Sequence, residues 1–408
     1  MRHLHDHGYG VRVLTTSAFG GDVVDEPAAQ VMRAWEPLGP YRRWRRGGAV
    51  APVPSYERTD PGSWRRPLAW ARRHVLIPDG QITWVPAALA QALVALRRQP
   101  AQLIYSTYPP ASDHLLALLL QRATRLPWVA DFRDSWTADP LDPELEADTW
   151  RRRREERLER RVVQCADAVI TATETSARYL RRHCGPAGDR VRVIPNGFDP
   201  GLAGPYGAPP VGPPLRLVHT GSFAASHPRR SPGPLFAAMR RLLDLDRTWA
   251  QRLRLVLVGA LRADEATAAA PLVATGMVEA VGPQPRSVAM ELQRTAHVLL
   301  LVDHLRPWPA SNVPGKLYEY LAAGRPVLAL CGPGETQQLL ERLGGGRWVT
   351  GDDVGAIAAA LVEWYGAMEA GRLPPPVAPE ALEPFWRPRQ AAALAACFDQ
   401  VRAVAGRR

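Results

Sequence analysis

The sequence predicts a two-domain α/β protein. Three observations carry this. The chain has 408 residues, enough for two domains with separate cores. Short apolar runs ended by Gly and Pro alternate with stretches of helical length. Near the midpoint, turn chemistry at Pro195-Asn196-Gly197-Phe198-Asp199 opens a Gly- and Pro-rich run to Pro214 that reads as a hinge-like linker.

In chain order, the opening MRHLHDHGYGVRVLTTS reads as a helix end, a Gly turn and the strand Val11 to Thr15. From Tyr41 to Ile77 arginines crowd together with Trp44, Trp64 and Trp70 interleaved. Such a mixture suits either an anionic lipid leaflet or a solvated loop whose tryptophans pack inward. Gln102 to Ser106 is a strand, and the loop Thr107 to His114 enters a helix from Leu115 to Thr124. Asp113 and His114 thus lie beyond a strand's C-terminal end, where open α/β sheets bind ligands. His114 is either a group that touches substrate or a polar residue near a helix start.

Pro127 to Trp136 is a strand that ends in clustered charge, Asp131, Arg133 and Asp134. Trp150 to Val163 is a highly charged helix, with Glu155, Glu156 and Glu159 spaced to pair with arginines; a solvated face is its default reading. Ala166 to Thr171, a helix starting at Thr173 to Ser176, and the strand Val191 to Ile194 close the first domain. In the second, Leu215 to His219 is a strand followed by Gly221, and Arg229 and Arg230 precede a helix from about Gly233 to Leu243. Arg254 to Val258, Met277 to Gly282 and His297 to Val302 are further strands. Phe385 onward reads as a terminal helix.

The organising stretch is Ser311 to Leu330, SNVPGKLYEYLAAGRPVLAL: a loop, a short helix and a buried strand. Asn312 is a cap residue, Pro314 suits a first helical turn, and Gly324 with Pro326 ends the helix. Lys316, at the helix start where free N–H groups and the dipole favour an anion, is the only lysine of the chain. A compact ammonium against phosphate is one reason to keep it; a lysine at a random helix end is the plain alternative. Glu319, one turn on, can accept hydrogen bonds from a ribose diol.

Together these residues resemble the large family of retaining GT-B glycosyltransferases (family 4, group 1) that use nucleotide sugars. PPASDHL, a helix and PWVADFRDSW resemble one branch of it, as do the PNG-x-D crossing and the PGK-L-Y-EYLA helix. The resemblance implies a GT-B fold of two Rossmann-like domains facing across a cleft: 1–195 for the acceptor, 196–214 as linker, 215–378 for the nucleotide sugar. Residues 379–408 would cross back as a helix. It implies donor contacts at Gly221, Arg229, Arg230, Ser311, Pro314, Gly315, Lys316, Leu317 and Glu319, with Arg230 or Arg229 gripping the diphosphate and Glu319 the ribose.

The family's first Glu of a Glu-x7-Glu pair falls on Ser311, a departure that bears on how the sugar is held. Around the reacting sugar the resemblance implies His114, Asp131, Arg133 and Asp134. Arg133 stands where many members have a histidine, and a guanidinium cannot serve as a base. Its role is then electrostatic or acceptor-binding, or the Asp–Arg pair only fixes the loop. The family's first strand and its Gly-rich loop would precede Val11, so the chain is expected to start upstream or to be a truncated derivative.

Charge and cysteines bound the rest. The net charge of +11 calls for anionic partners. No nucleic-acid-binding motif accompanies it, so a nucleotide sugar, a carbohydrate, lipid-linked or small-molecule acceptor and an anionic membrane surface are the expected partners. Four scattered cysteines, no signal-peptide pattern and no run of about 18 apolar residues predict a reduced, cytoplasmic chain, at most peripheral to the inner face of the membrane. No metal-ligand spacing is present, and no cofactor is expected. The competing readings are a sugar-nucleotide epimerase of the same fold and a non-catalytic scaffold.

Overall fold

The computed structural model describes residues 2–18, 29–39, 74–140, 145, 148–202, 211–224, 227 and 229–406. Most of the arginine- and tryptophan-rich region from Tyr41 to Ile77 lies outside them. The chain divides into two compact units, Met1–Pro195 with Pro388–Arg408, and Asn196–Arg387.

In the first unit a 3-10 turn, Arg2–His7, meets Gly8 at φ +78° and delivers the chain to β1 (Val11–Thr16), which pairs in parallel with β2 (Ala29–Ala34). Helix α1 (Val85–Arg98) sets Val85, Ala88 and Ala92 in a core with Ala34, Leu116 and Leu120. A second sheet follows in the parallel order β3 (Ile104–Tyr108), β4 (Trp128–Phe132), β5 (Ala168–Thr171), β6 (Val191–Val193). Its connecting helices are α2 (Ala111–Thr124), α3 (Thr149–Cys165) and α4 (Glu174–His183). Every residue of β4 is buried, as a strand covered on both faces requires. Helix α2 begins earlier than its apolar run suggests, so Asp113 and His114 belong to its first turn.

Helix α3 corrects the expectation of a simple solvated face. Asp148 caps it, accepting from Trp150 N and Arg151 N, and Arg151, Glu155 and Glu159 are buried. Burial is tolerated because each charge has partners: Arg151 Nε lies 2.8 Å from Glu155 Oε1, Trp136 Nε1 donates to Glu155 at 2.8 Å, and Thr137 donates to Glu159 through both N and Oγ1.

The second unit holds a six-stranded parallel sheet in the order β12-β11-β10-β7-β8-β9. The strands are β7 (Leu215–Thr220), β8 (Leu253–Val258), β9 (Val278–Ala280), β10 (Val298–Val302), β11 (Val327–Cys331) and β12 (Gly346–Thr350). Taken in chain order this is the 3-2-1-4-5-6 arrangement of a doubly wound domain, and the order reverses between β7 and β10. One face is covered by α5 (Gly233–Leu245), α6 (Ala263–Ala274) and α10 (Val354–Glu369), through Leu235, Met239, Leu272 and Leu361. The other is covered by α7 (Arg286–Arg294), α8 (Gly315–Ala322) and α9 (Glu335–Leu343), with Leu317, Tyr320, Leu321 and Leu340 inward.

Residues 379 to 387, grouped on sequence with the terminal helix, belong to this second unit. Leu382 and Phe385 are in its core, and Phe198 N donates to Phe385 O at 3.0 Å. The terminal helix α11 (Arg387–Ala405) then packs Ala395, Cys397, Phe398 and Val401 on Leu4, Val129, Ala168 and Ile170 of the first unit.

Candidate functional site

The strand order of the second unit says where to look. A ligand crevice is expected beyond the C-terminal ends of β7 and β10, and the residues leaving those strands are Gly221 and Asp303. Gly221 adopts φ +95°, a conformation that only Gly takes without strain, and a Cβ there would lie 2.8 Å from Lys316 Cε. The lysine therefore runs across the bare backbone of the β7 turn. Helix α8 starts at Gly315 with Pro314 in the N-cap position and no side-chain cap, so Asn312 does not cap it, contrary to expectation. Buried Tyr320 fixes α8 against β7, since its hydroxyl accepts from Thr220 N at 2.9 Å.

Lys316 makes no hydrogen bond and no ion pair among the described residues. Burial and the nearby Arg230 press its pKa down to about 8, against a weaker opposing pull from Glu319. Arg230 reaches the same place from the loop before α5, and its Nη2 lies 2.8 Å from Asp303 Oδ1. Arg306 Nη1 holds the other carboxylate oxygen at 3.1 Å. Burial works against ionised Asp303, but His304, Arg306 and Arg230 outweigh it and hold it well below the usual carboxylate range. His227 and His304 stack alongside with ring centroids 3.5 Å apart, and burial lowers His227 to about 3. His219 is likewise kept neutral by burial and by Lys316.

Of the residues named on sequence, the structure groups Gly221, Arg230, Lys316 and the start of α8, while Arg229 is exposed. Leu317 and Ser311 are buried, Leu317 in the core. Glu319 is partly exposed on α8 and pairs with Arg286 Nη2 of α7 at 2.8 Å. Sequence reasoning missed Asp303, Arg306 and Arg286. Asp303 had a signal, a carboxylate directly after an all-apolar strand, whereas Arg286 is separated from Glu319 by 33 residues and had none.

In the first unit Arg133 Nε lies 2.8 and 2.7 Å from the two oxygens of Asp131, and Tyr105 donates to the same carboxylate. Asp131 is 1% exposed and thus spent on Arg133, whose own side chain is 27% exposed. Burial opposes the charge of Arg133, but Asp131 outweighs it and raises its pKa further. Asp134 is partly exposed beside it. His114 is fully buried, with Nδ1 2.7 Å from Ser106 Oγ and its ring 4.5 Å from Phe132; burial lowers it to about 3, a neutral imidazole. Its neighbour Asp113 is raised well above its usual range by burial and by Asp79. No cluster of three metal-ligating side chains exists among the described residues, and none of their helices is long and apolar enough to cross a membrane.

Two parallel-sheet units, one with its switch point lined by Gly221, Lys316 and Arg230, define a GT-B protein. Residues 1–197, just under half of the chain, match the Glycosyl transferase 4-like domain. No curated protein sequence matches it significantly. Among solved structures it resembles sucrose-phosphate synthase from Thermosynechococcus elongatus, at TM-score 0.68 and 18% identity over 99% of this chain and 92% of that one. It also resembles Anabaena HepE in complex with UDP, at TM-score 0.55 and 16% identity over 98% and 99%. A putative UDP-N-acetylglucosamine 2-epimerase from Listeria monocytogenes matches at TM-score 0.53 and 11% identity over 96% of each chain. Identities this low establish the fold alone.

Proposed function

We propose that the protein is a retaining glycosyltransferase that moves a sugar from a nucleotide sugar to a carbohydrate, lipid-linked or small-molecule acceptor, without a metal or other cofactor, at the cytoplasmic face of an anionic membrane. One observation carries the donor site: the Lys316 ammonium, half-buried and without an ion-pair partner among the described residues, beside Arg230 at the uncapped start of α8. An unpaired, partly desolvated cation next to a second one is unfavourable unless an anion joins them. A diphosphate supplies that charge, and Glu319 lies one turn further along to take the ribose hydroxyls.

In the reaction the bond from the anomeric carbon to the diphosphate oxygen breaks, a bond to an acceptor oxygen forms, and the proton of the acceptor hydroxyl passes to the departing diphosphate. Negative charge grows on the departing diphosphate. Lys316, Arg230 and the α8 amides are already placed to receive it, which lowers the barrier without reorganisation. Of the four residues named around the reacting sugar, Arg133 and Asp134 are the two with exposed surface to meet an acceptor. Asp131 positions Arg133, and His114 packs behind the loop.

The test is thermal stability against UDP, GDP, dTDP and ADP, with Lys316→Ala and Glu319→Ala alongside. A ligand at about a hundred times its Kd stabilises by roughly 2.7 kcal/mol. Stabilisation by one nucleotide, lost in both variants, supports the reading; a folded chain that no nucleotide stabilises overturns it. An epimerase would instead convert the nucleotide sugar with no acceptor present. Ser311, which brings no carboxylate to the donor loop, is the residue that favours a non-catalytic scaffold.

A further inference from the structure

We infer that the outer face of α3 is a docking surface for an anionic lipid bilayer. At 100° per residue, Trp150, Arg153, Arg154, Arg157, Arg160 and Arg161 fall within an arc of about 120°. All six are exposed, and none of the acidic residues of α3 shares the arc. The opposite side is the one that sinks Arg151, Glu155, Glu159, Val162 and Val163 into the unit. The helix therefore sorts its charges: inside, Arg151 is paired with Glu155 and Glu159 is hydrogen-bonded by Thr137, while the outer charges are all positive.

A merely solvated face would not be expected to look like this. Like charges three and four positions apart weaken a helix, and a face needing only solubility relieves them with interspersed Glu. Here Arg153, Arg157 and Arg161 form no ion pair among the described residues. Arg160 Nε donates to His183 O at 3.1 Å, joining the stripe to the basic end of α4, where Arg181, Arg182 and His183 are exposed. At the other end the Trp150 ring is 43% exposed, with the Arg154 guanidinium 4.8 Å from its centroid.

A row of arginines ending in an exposed indole matches the two layers of a bilayer surface, anionic headgroups and the amphipathic boundary beneath them. Nucleic acid fits less well. A single exposed ring gives no row of stacking platforms for successive bases. The inference deepens the membrane part of the proposed function and is separate from the donor site.

The experiment is sedimentation of the full chain with vesicles of phosphatidylcholine alone and of phosphatidylcholine mixed with phosphatidylglycerol. A triple variant, Arg153→Gln, Arg157→Gln and Arg161→Gln, is compared after its melting temperature has been shown to match the parent's. The expected result is binding to the mixed vesicles only, weakened by added salt and reduced about a hundredfold in the variant, from roughly a factor of five per arginine near the surface. Brominated lipid should quench fluorescence less in Trp150→Phe than in the parent, while nucleotide stabilisation remains unchanged in all variants. Equal binding by parent and triple variant overturns the assignment to α3 and leaves membrane association standing. No binding of the parent to mixed vesicles overturns both, as does a preference for double-stranded DNA over them.

Discussion

Lys316 occupies the space that a side chain on Gly221 would need: a Cβ there would stand 2.8 Å from the lysine's Cε. The glycine and the lysine are thus one feature, and neither can be understood without the other. Gly221→Ala should both strain the backbone, which sits at φ +95°, and push the ammonium out of place. Roughly 1–3 kcal/mol of stability should be lost, along with nucleotide binding. A denaturant titration and a binding isotherm on the same variant check this, and an alanine that binds as tightly as glycine would break the link.

The pH dependence of binding follows from the same lysine. Its pKa is lowered to about 8 in the folded chain, so the ammonium needed to meet a diphosphate is present below that value and lost above it. Nucleotide affinity should be constant from pH 6 to 7.5 and then fall, by at most about tenfold per unit. Stability of the free protein runs the other way. Between about 8 and the unfolded value near 10.5 the unfolded chain holds the extra proton, so unfolding becomes harder as pH rises through that window. Calorimetric titration of the parent with nucleotide reads the first, and thermal unfolding of the free parent and of Lys316→Ala reads the second, because the variant should lack the parent's gain in stability above pH 8.

The chemistry of this place was legible in the sequence only where it is local. A lone lysine, a glycine after a strand and a helix start lie within or next to recognisable runs, so Gly221 and Lys316 could be named from them. Arg230 could be narrowed only to a pair with Arg229, and the structure separates them by burial. The partners that hold the site lie far along the chain, as Asp303 is 73 residues from Arg230. The sheet order that brings them together is a tertiary property. Helix α3 was legible only on its outer side: its charged composition suggested a solvated face, which exists, while Trp136 and Thr137, from another loop, supply the hydrogen bonds that let Glu155 and Glu159 be buried on the inner side.

Asp303 is predicted to be the keystone of the cationic loop. Its carboxylate takes Arg230 at 2.8 Å and Arg306 at 3.1 Å while 2% exposed. Asp303→Asn keeps the shape but leaves two arginines facing a neutral group. Breaking a buried pair from one side costs about 3–5 kcal/mol, so the melting temperature should drop substantially. Excess phosphate or nucleotide should restore part of the loss, because an anion then replaces the missing charge. Asp303→Asn with parental stability would show that the arginines find other partners.

Arg286 should act as a competitor at Glu319. The pair is 2.8 Å long but 64% exposed on the arginine side, so its contribution to stability is at most about 1 kcal/mol. A ribose that takes the carboxylate must displace the guanidinium. Arg286→Ala should therefore leave the melting temperature nearly unchanged and tighten binding of a nucleoside diphosphate a few-fold, without altering binding of inorganic pyrophosphate, which has no ribose. A weaker nucleotide in the variant would instead mean that Arg286 contacts the ligand.

Glu159 gives the first unit a pH dependence opposite in kind to that of the donor site. Burial raises its carboxyl to about 7, with hydrogen bonds from Thr137 pulling the other way and Glu156 and Glu155 adding to the rise. A folded pKa above the unfolded value of about 4.5 means that the folded state holds the extra proton between the two. The stabilisation is fully present below about 4.5 and is lost as pH rises through 7. The first unit should thus melt at a higher temperature at pH 5.5 than at pH 8, and Glu159→Gln, neutral throughout, should reduce that difference, with Glu155, which burial also raises to about 7, supplying the remainder. Glu155 is a poorer choice for the experiment because Arg151 at 2.8 Å would lose its carboxylate. A parent whose melting temperature rises from pH 5.5 to 8 would show that other groups, and not this carboxylate, set the acid-side behaviour of the unit.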